Sequence, residues 1–109
     1  MDNFFDENFK DILNNKALKS TSRLIILLII ALNEKITFSN LHKYLGGSKG
    51  SLKNNLDILE EDELIKSYNV FSLSGPRLVY EITPKGLKFY QKYLEILNKL
   101  NENQHKKIN

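Results

Sequence analysis

Between Thr37 and Ile65 the chain reads TFSNLHKYLGGSKGSLKNNLDILEEDELI, and its polar side chains are donors suited to an anionic partner or to base edges. The ammonium groups of Lys49 and Lys53 can donate to guanine O6 and N7, or to phosphate. The amide of Asn54 can pair with adenine N6 and N7. Ser51 adds a hydroxyl, and Lys43 a charge just upstream. No acid falls among residues 49–54. Other chemistries find little support. His42 and His105 are the only histidines, and there is no cysteine, so neither a nucleophile–base pair nor a metal site is expected. Glu60, Glu61, Asp62 and Glu63 are consecutive and would fan around a helix end instead of converging on one ion. The run Gly46-Gly47-Ser-Lys-Gly-Ser lacks P-loop spacing. No enzyme activity, metal or cofactor is expected.

Such donors need a helix to aim them. Leu52, Leu56 and Leu59 recur at i, i+4 and i+7 and predict one buried face, leaving the polar residues on the other. Ser48 is placed to cap this helix. Upstream, Thr37 can cap a shorter helix with Leu41, Tyr44 and Leu45 on one face, ended by Gly46 and Gly47. A short helix, a glycine turn and a second helix form a helix-turn-helix layout. After EEDELI comes IKSYNVFSLSGPRLVYEIT, two strand-like runs around a Ser-Gly-Pro turn in which Gly75 and Pro76 are expected to reverse the chain. Lys35 and Ile36 suggest a short first strand.

The flanks read as helices. Residues 2–14 place Phe5, Phe9, Ile12 and Leu13 at helical spacing. Phe4 and Phe5 either complete the core of their own subunit or pack on a partner. Ser20 or Ser22 can cap the next helix, and Arg23 near its start either reaches phosphate or bonds within the domain. Leu24 to Leu32 is an apolar run far shorter than the ~20 residues of a membrane span, so it reads as a buried helix. Thr83 and Pro84 start a final helix to about Leu100, with Gly86 a weak spot in its first turn and a polar tail, 101–109, that frays. Two apolar stripes run along it: Leu87, Tyr90, Leu94 and Leu97, then Phe89, Tyr93, Ile96 and Leu100. One stripe docks a helix on its own domain, and two imply a second surface. A homodimer is therefore expected, with Phe4, Phe5, Phe89, Tyr93, Ile96, Leu97 and Leu100 at its interface.

At 109 residues one domain is expected, residues 1–109, with its core at roughly 17–97. The net charge is only +3, but it is segregated. Residues 15–56 carry seven bases and one acid, residues 57–63 five acids and no base, and residues 64–109 eight bases and three acids. Basic blocks around an acidic helix exit suit nucleic acid better than a membrane surface. A cytoplasmic protein is expected, with no membrane partner.

The segments SRLIILLIIAL, SKGSLKNNLDILEEDELI and GPRLVYEITPKGLKFYQKYL resemble the winged-helix transcriptional regulators, especially the small MarR/ArsR-like archaeal and bacterial type. The resemblance covers roughly residues 17–97. It implies a mainly α fold with a small β-hairpin, that is, a winged helix-turn-helix of the α+β class with N- and C-terminal dimerisation helices. It also implies a DNA-binding transcriptional regulator that reads the major groove with helix 48–61 and flanks double-stranded DNA with a wing at 69–78. Carried over by position, the DNA contacts are Ser48, Lys49, Gly50, Ser51, Lys53 and Asn54, with Lys43 and the wing residue Arg77. The wing departs from the family pattern: Ser72, Ser74 and Gly75 stand where relatives often hold arginines. An architectural DNA binder and a protein-interaction winged helix are the alternatives. The sequence does not indicate an effector.

Overall fold

Leu52, Leu56 and Leu59 are all buried, so the helical period did select the inward face. The computed structural model describes residues 7–108 of the chain. The order is α1 (Glu7–Asn14), a 3-10 turn (Lys16–Lys19), α2 (Thr21–Asn33), β1 (Lys35–Thr37), α3 (Phe38–Leu45), α4 (Lys49–Glu61), β2 (Ile65–Ser72), β3 (Gly75–Ile82) and α5 (Pro84–Ile108). The strands form one antiparallel sheet in the order β1-β3-β2. The architecture is mainly α with a small sheet, as the sequence implied. Phe4 and Phe5 lie outside the described residues.

Each helix of the central motif starts on a hydroxyl. The side chains of Ser20, Thr37 and Ser48 accept from the backbone N–H of Arg23, Asn40 and Ser51, satisfying donors that have no partner within the helix. The core gathers Leu27 and Ile30 of α2, Leu41 of α3, Leu56 and Leu59 of α4, Leu64, Ile65, Tyr80 and Phe89. Each such side chain contributes about 1.5–3 kcal/mol by leaving water.

Some expectations need correction. The apolar run on α2 is not buried all round: Ile26, Leu27, Ile30 and Ala31 face inward, while Ile25 and Leu32 are exposed. The two-turn α3 packs on β1 and β3 with one face. Leu41 is therefore buried, but Tyr44 is 70% exposed and Leu45 also lies outside. The hairpin reverses at Leu73 and Ser74, not at Gly75 and Pro76, which already pair with Ser72 and Phe71. Both turn residues keep negative φ, and Gly75 with φ 107° supplies the left-handed residue that closes the reversal.

The last helix also differs from expectation. It continues to Ile108 through a segment expected to fray, because NENQHKKI contains neither glycine nor proline. Its 25 residues span about 37 Å at about 1.5 Å per residue. The radius of gyration is 16.2 Å, against about 13 Å for a compact domain of this length, because α5 overhangs the core. The helix packs on α1 and α2. Phe89, expected at a subunit interface, is instead 6% exposed within the domain's own core, and Ile96 packs against that core. Tyr93 is half-buried on the same side. The stripe left open is the other one: Leu87, Leu94 and Leu97, joined by Leu100. Among the described residues no helix is long and apolar enough to cross a membrane.

Candidate nucleic-acid interface

Burial of the leucine stripe turns the rest of α4 outward. Ser48, Lys49, Gly50, Ser51, Lys53 and Asn54 are all exposed. At about 100° per residue, Asn54 stands nearly opposite the middle of the Leu52, Leu56 and Leu59 stripe. Gly46 and Gly47, with φ 70° and 72°, make the turn between α3 and α4. His42 of α3 ties that turn down: its Nε2 lies 2.9 Å from the Gly47 carbonyl oxygen, so Nε2 carries the proton and donates. Its ring stacks on Phe38. Lys43 and Lys49 are exposed and form no ion pair among the described residues.

Lys53 is different. Its ammonium bonds Asp57, one turn further along α4, and both groups are about half exposed. That hydrogen bond holds the Lys53 ammonium above its ordinary pKa. No acid lies among residues 49–54, but Asp57 reaches back onto their face.

Of the acids further along, Glu60 finds its partner within the fold. Glu60 accepts from the Ser67 backbone N–H at 3.1 Å and from the Ser67 hydroxyl at 2.8 Å, fastening α4 to β2. Glu63 adopts φ 62°, and the Leu64 N–H returns to the Leu59 carbonyl, so the helix ends in a left-handed cap built without glycine. Backbone carbonyls at this end hold the start of α5. The Thr83 hydroxyl donates to Glu63 O at 2.6 Å, Lys85 Nζ donates to Asp62 O at 2.8 Å, and the Thr83 N–H donates to Leu64 O at 3.1 Å.

Sequence reasoning missed the Glu60–Ser67 and Tyr68–Glu81 links, and left Arg23 open between phosphate and the domain. The side chains of Glu60 and Ser67 meet only once the chain has turned. Arg23 works inside the domain: its Nε donates to Asn55 Oδ1 at 3.3 Å and its Nη1 to the Lys16 carbonyl at 2.7 Å. It therefore braces α4 against α2 and the 3-10 turn, and Asn55 is spent on this brace while Asn54 stays free. At the base of the hairpin, the Tyr68 hydroxyl donates to Glu81 at 2.8 Å, and Lys66 sits 3.3 Å from the same carboxylate. Tyr68 first, then Lys66, hold the Glu81 carboxyl below its ordinary value. Arg77 stands exposed on β3, donating to Ser74 Oγ at 3.1 Å. Among the described residues no group of His, Cys, Asp and Glu converges as a metal site would require.

A helix-turn-helix followed by a two-stranded hairpin is the layout of a winged helix. The family model of the winged helix DNA-binding domain matches residues 22–101. The chain belongs to that family. Among solved structures, this winged helix is 30% identical to a transcriptional regulator homologue from Pyrococcus horikoshii OT3, with a TM-score of 0.75 over 90% of this chain and 97% of that one. A MarR-family transcriptional regulator from Enterococcus faecalis V583 is 20% identical, with a TM-score of 0.77 over 94% and 93% of the two chains. S. aureus MepR, solved as a DNA complex, is 17% identical, with a TM-score of 0.68 over 97% and 89%. The last two likenesses show the fold alone. No curated protein matches the chain. The resemblance to winged-helix transcriptional regulators read from the sequence therefore stands, with the hairpin as the wing.

Proposed function

We propose that this winged helix is a homodimeric, sequence-specific transcriptional regulator that reads the major groove of double-stranded DNA with α4 and flanks it with the wing. The observation that carries this reading is the outward face of α4. Its leucines are buried, Asn54 stands opposite them, and Lys49 and Ser51 lie exposed toward the capped N-terminus. At the far end Glu60 is engaged by Ser67. Two such helices would enter successive major grooves about 34 Å apart. The second subunit would cover Leu87, Leu94, Leu97 and Leu100 on the overhanging α5, a row of exposed leucines that one chain leaves in water. The P. horikoshii protein, a transcriptional regulator homologue, and the DNA complex of MepR support this class of function. An architectural role draws less support, because Lys53 is already neutralised by Asp57 and the wing carries few cations.

The test is Asn54→Ala. A neutral amide gains little from the phosphate field, so its loss should cost about 1–3 kcal/mol on the best site selected from random DNA and far less on a random duplex. Lys43→Ala should weaken both alike. Equal losses on the two duplexes for Asn54→Ala would mean that α4 does not read bases.

A further inference from the structure

The wing extends beyond the three-stranded part of the sheet. β1 pairs with β3 only as far as Val79, opposite Thr37, which leaves residues 69–72 and 75–78 as a two-stranded arm. At about 3.3 Å per residue the arm is about 13 Å long. Its end is apolar and uncovered. Leu73 is fully exposed at 111%, and Phe71, which faces Pro76 across the arm, is 82% exposed. Two-residue turns favour glycine, asparagine, aspartate and serine, so turn geometry gives no reason for a leucine there.

The tip is also held in shape. A hydroxyl has one proton, so the bonds around Ser72 and Ser74 must run one way. Arg77 donates to Ser74 Oγ at 3.1 Å, Ser74 donates to Ser72 Oγ at 3.0 Å, and Ser72 donates to the Gly75 carbonyl at 2.9 Å. This chain draws the Arg77 guanidinium to the tip and fixes the turn that presents Leu73. From Lys66 to Tyr80 the hairpin contains Lys66 and Arg77 and no acid. An apolar point with a cation beside it and no acid along its arm suits a polyanion that has an apolar interior. Stacked DNA bases behind phosphates have that chemistry.

We propose that Leu73, backed by Phe71, is a wedge that enters the minor groove beside the site read by α4 and unstacks a base step there. The proposal rests on the DNA-binding reading above. The arm is longer than the minor groove is deep, about 7.5 Å. Apolar side chains inserted in this way kink the duplex toward the major groove. The flank would then favour flexible pyrimidine–purine steps without a base-specific hydrogen bond. A wing poor in arginine would thus contribute to selectivity through DNA deformation.

The experiment uses the full chain and a duplex carrying the best sequence selected from random DNA. 2-Aminopurine is placed in turn at each flanking position, and a dye pair at the duplex ends reports bending. Wild type should raise the 2-aminopurine fluorescence several-fold at one flanking step and shorten the end-to-end distance. Leu73→Ser, a change at a fully exposed turn position, should still bind. In its saturated complex the fluorescence should fall to the free-duplex level and the ends should straighten. Leu73→Met should keep both signals. Arg77→Ala should weaken binding yet keep the fluorescence once saturated, because the Ser72 bond to the Gly75 carbonyl still closes the turn. A wild-type complex with no 2-aminopurine response at any flank, or the same response in Leu73→Ser, overturns the wedge alone. Absence of DNA binding by wild type overturns the wedge together with the function proposed above.

Discussion

Gly86→Ala should destabilise this domain although it replaces glycine by alanine inside a helix. On propensity alone the change favours folding by about 1 kcal/mol. The packing opposes it. A Cβ at position 86 would sit 2.0 Å from the Leu64 carbonyl oxygen and 2.7 Å from Ile82 Cδ1. An ordinary C···O approach is about 3.3 Å or more, so α5 would have to move by more than about 1 Å. The obstacle is backbone, which cannot swing aside as a side chain could. Moving α5 strains the bonds that seat it, Thr83 N–H to Leu64 O and the Thr83 hydroxyl to Glu63 O.

Overpacking costs about 1–3 kcal/mol, and each of the two bonds about 0.5–1.5 kcal/mol. After subtracting the propensity gain, the net loss is about 3 kcal/mol. At about 4–8 °C per kcal/mol the melting temperature should fall by roughly 12–24 °C. Thermal unfolding followed by far-UV circular dichroism measures this directly. Gly50→Ala is the control, because its Cβ meets nothing within 4 Å and the substitution should be neutral or mildly stabilising. If Gly86→Ala melts at or above wild type, the close approach of α5 to Leu64 is not a constraint and the reasoning fails.

Three further outcomes follow from particular contacts. Asp57→Asn frees Lys53 and removes a negative charge from the α4 face, so affinity for specific and random duplexes should rise and the salt slope steepen by about one phosphate contact; anisotropy titrations across a salt series would show no change if Lys53 stays away from DNA. Leu94→Glu with Leu97→Glu alters two exposed positions, so the chain should stay folded but run as a monomer in light scattering; a wild-type monomer at micromolar concentration would sink the dimer. Tyr68→Phe removes the main cause of the lowered Glu81 pKa. A depressed carboxyl contributes stability above its unfolded value near 4.5 and loses it as pH falls through the folded value, so the variant should show a higher Glu81 midpoint by NMR and a shallower loss of stability on acidification.

What was legible along the chain followed from local rules. Ser48 beside the pair Gly46-Gly47 marked a boundary because hydroxyl caps and left-handed glycines act within a few residues. Leu52, Leu56 and Leu59 marked a face because their period is that of the helix itself. The stripes on α5 were both visible, but which one faced the domain was not. Phe89 and Leu87 differ little as apolar residues. The choice between them was made by α1 and α2, which lie some sixty to eighty positions earlier in the chain. The hairpin turn slipped by two residues for a related reason. Gly75 was correctly singled out, yet a left-handed residue can close a reversal from its far side as well as from its centre.

The candidate site was legible as a set of donors but not as a set of free donors. Asn54 and Asn55 are adjacent and chemically identical, so nothing local distinguishes them. They separate because a rotation of about 100° points one to solvent and the other toward Arg23, itself thirty-two positions away in sequence. The same holds for the acids after α4. In sequence they are a run of like charge whose simplest role is to keep phosphate away. In the fold, Glu60 receives two donors from Ser67, while the backbone carbonyls of Asp62 and Glu63 receive Lys85 and Thr83. A charge pattern gives the field that a segment presents to a distant partner. It does not give the near neighbours that already occupy its atoms, and those decide which side chains are left for DNA.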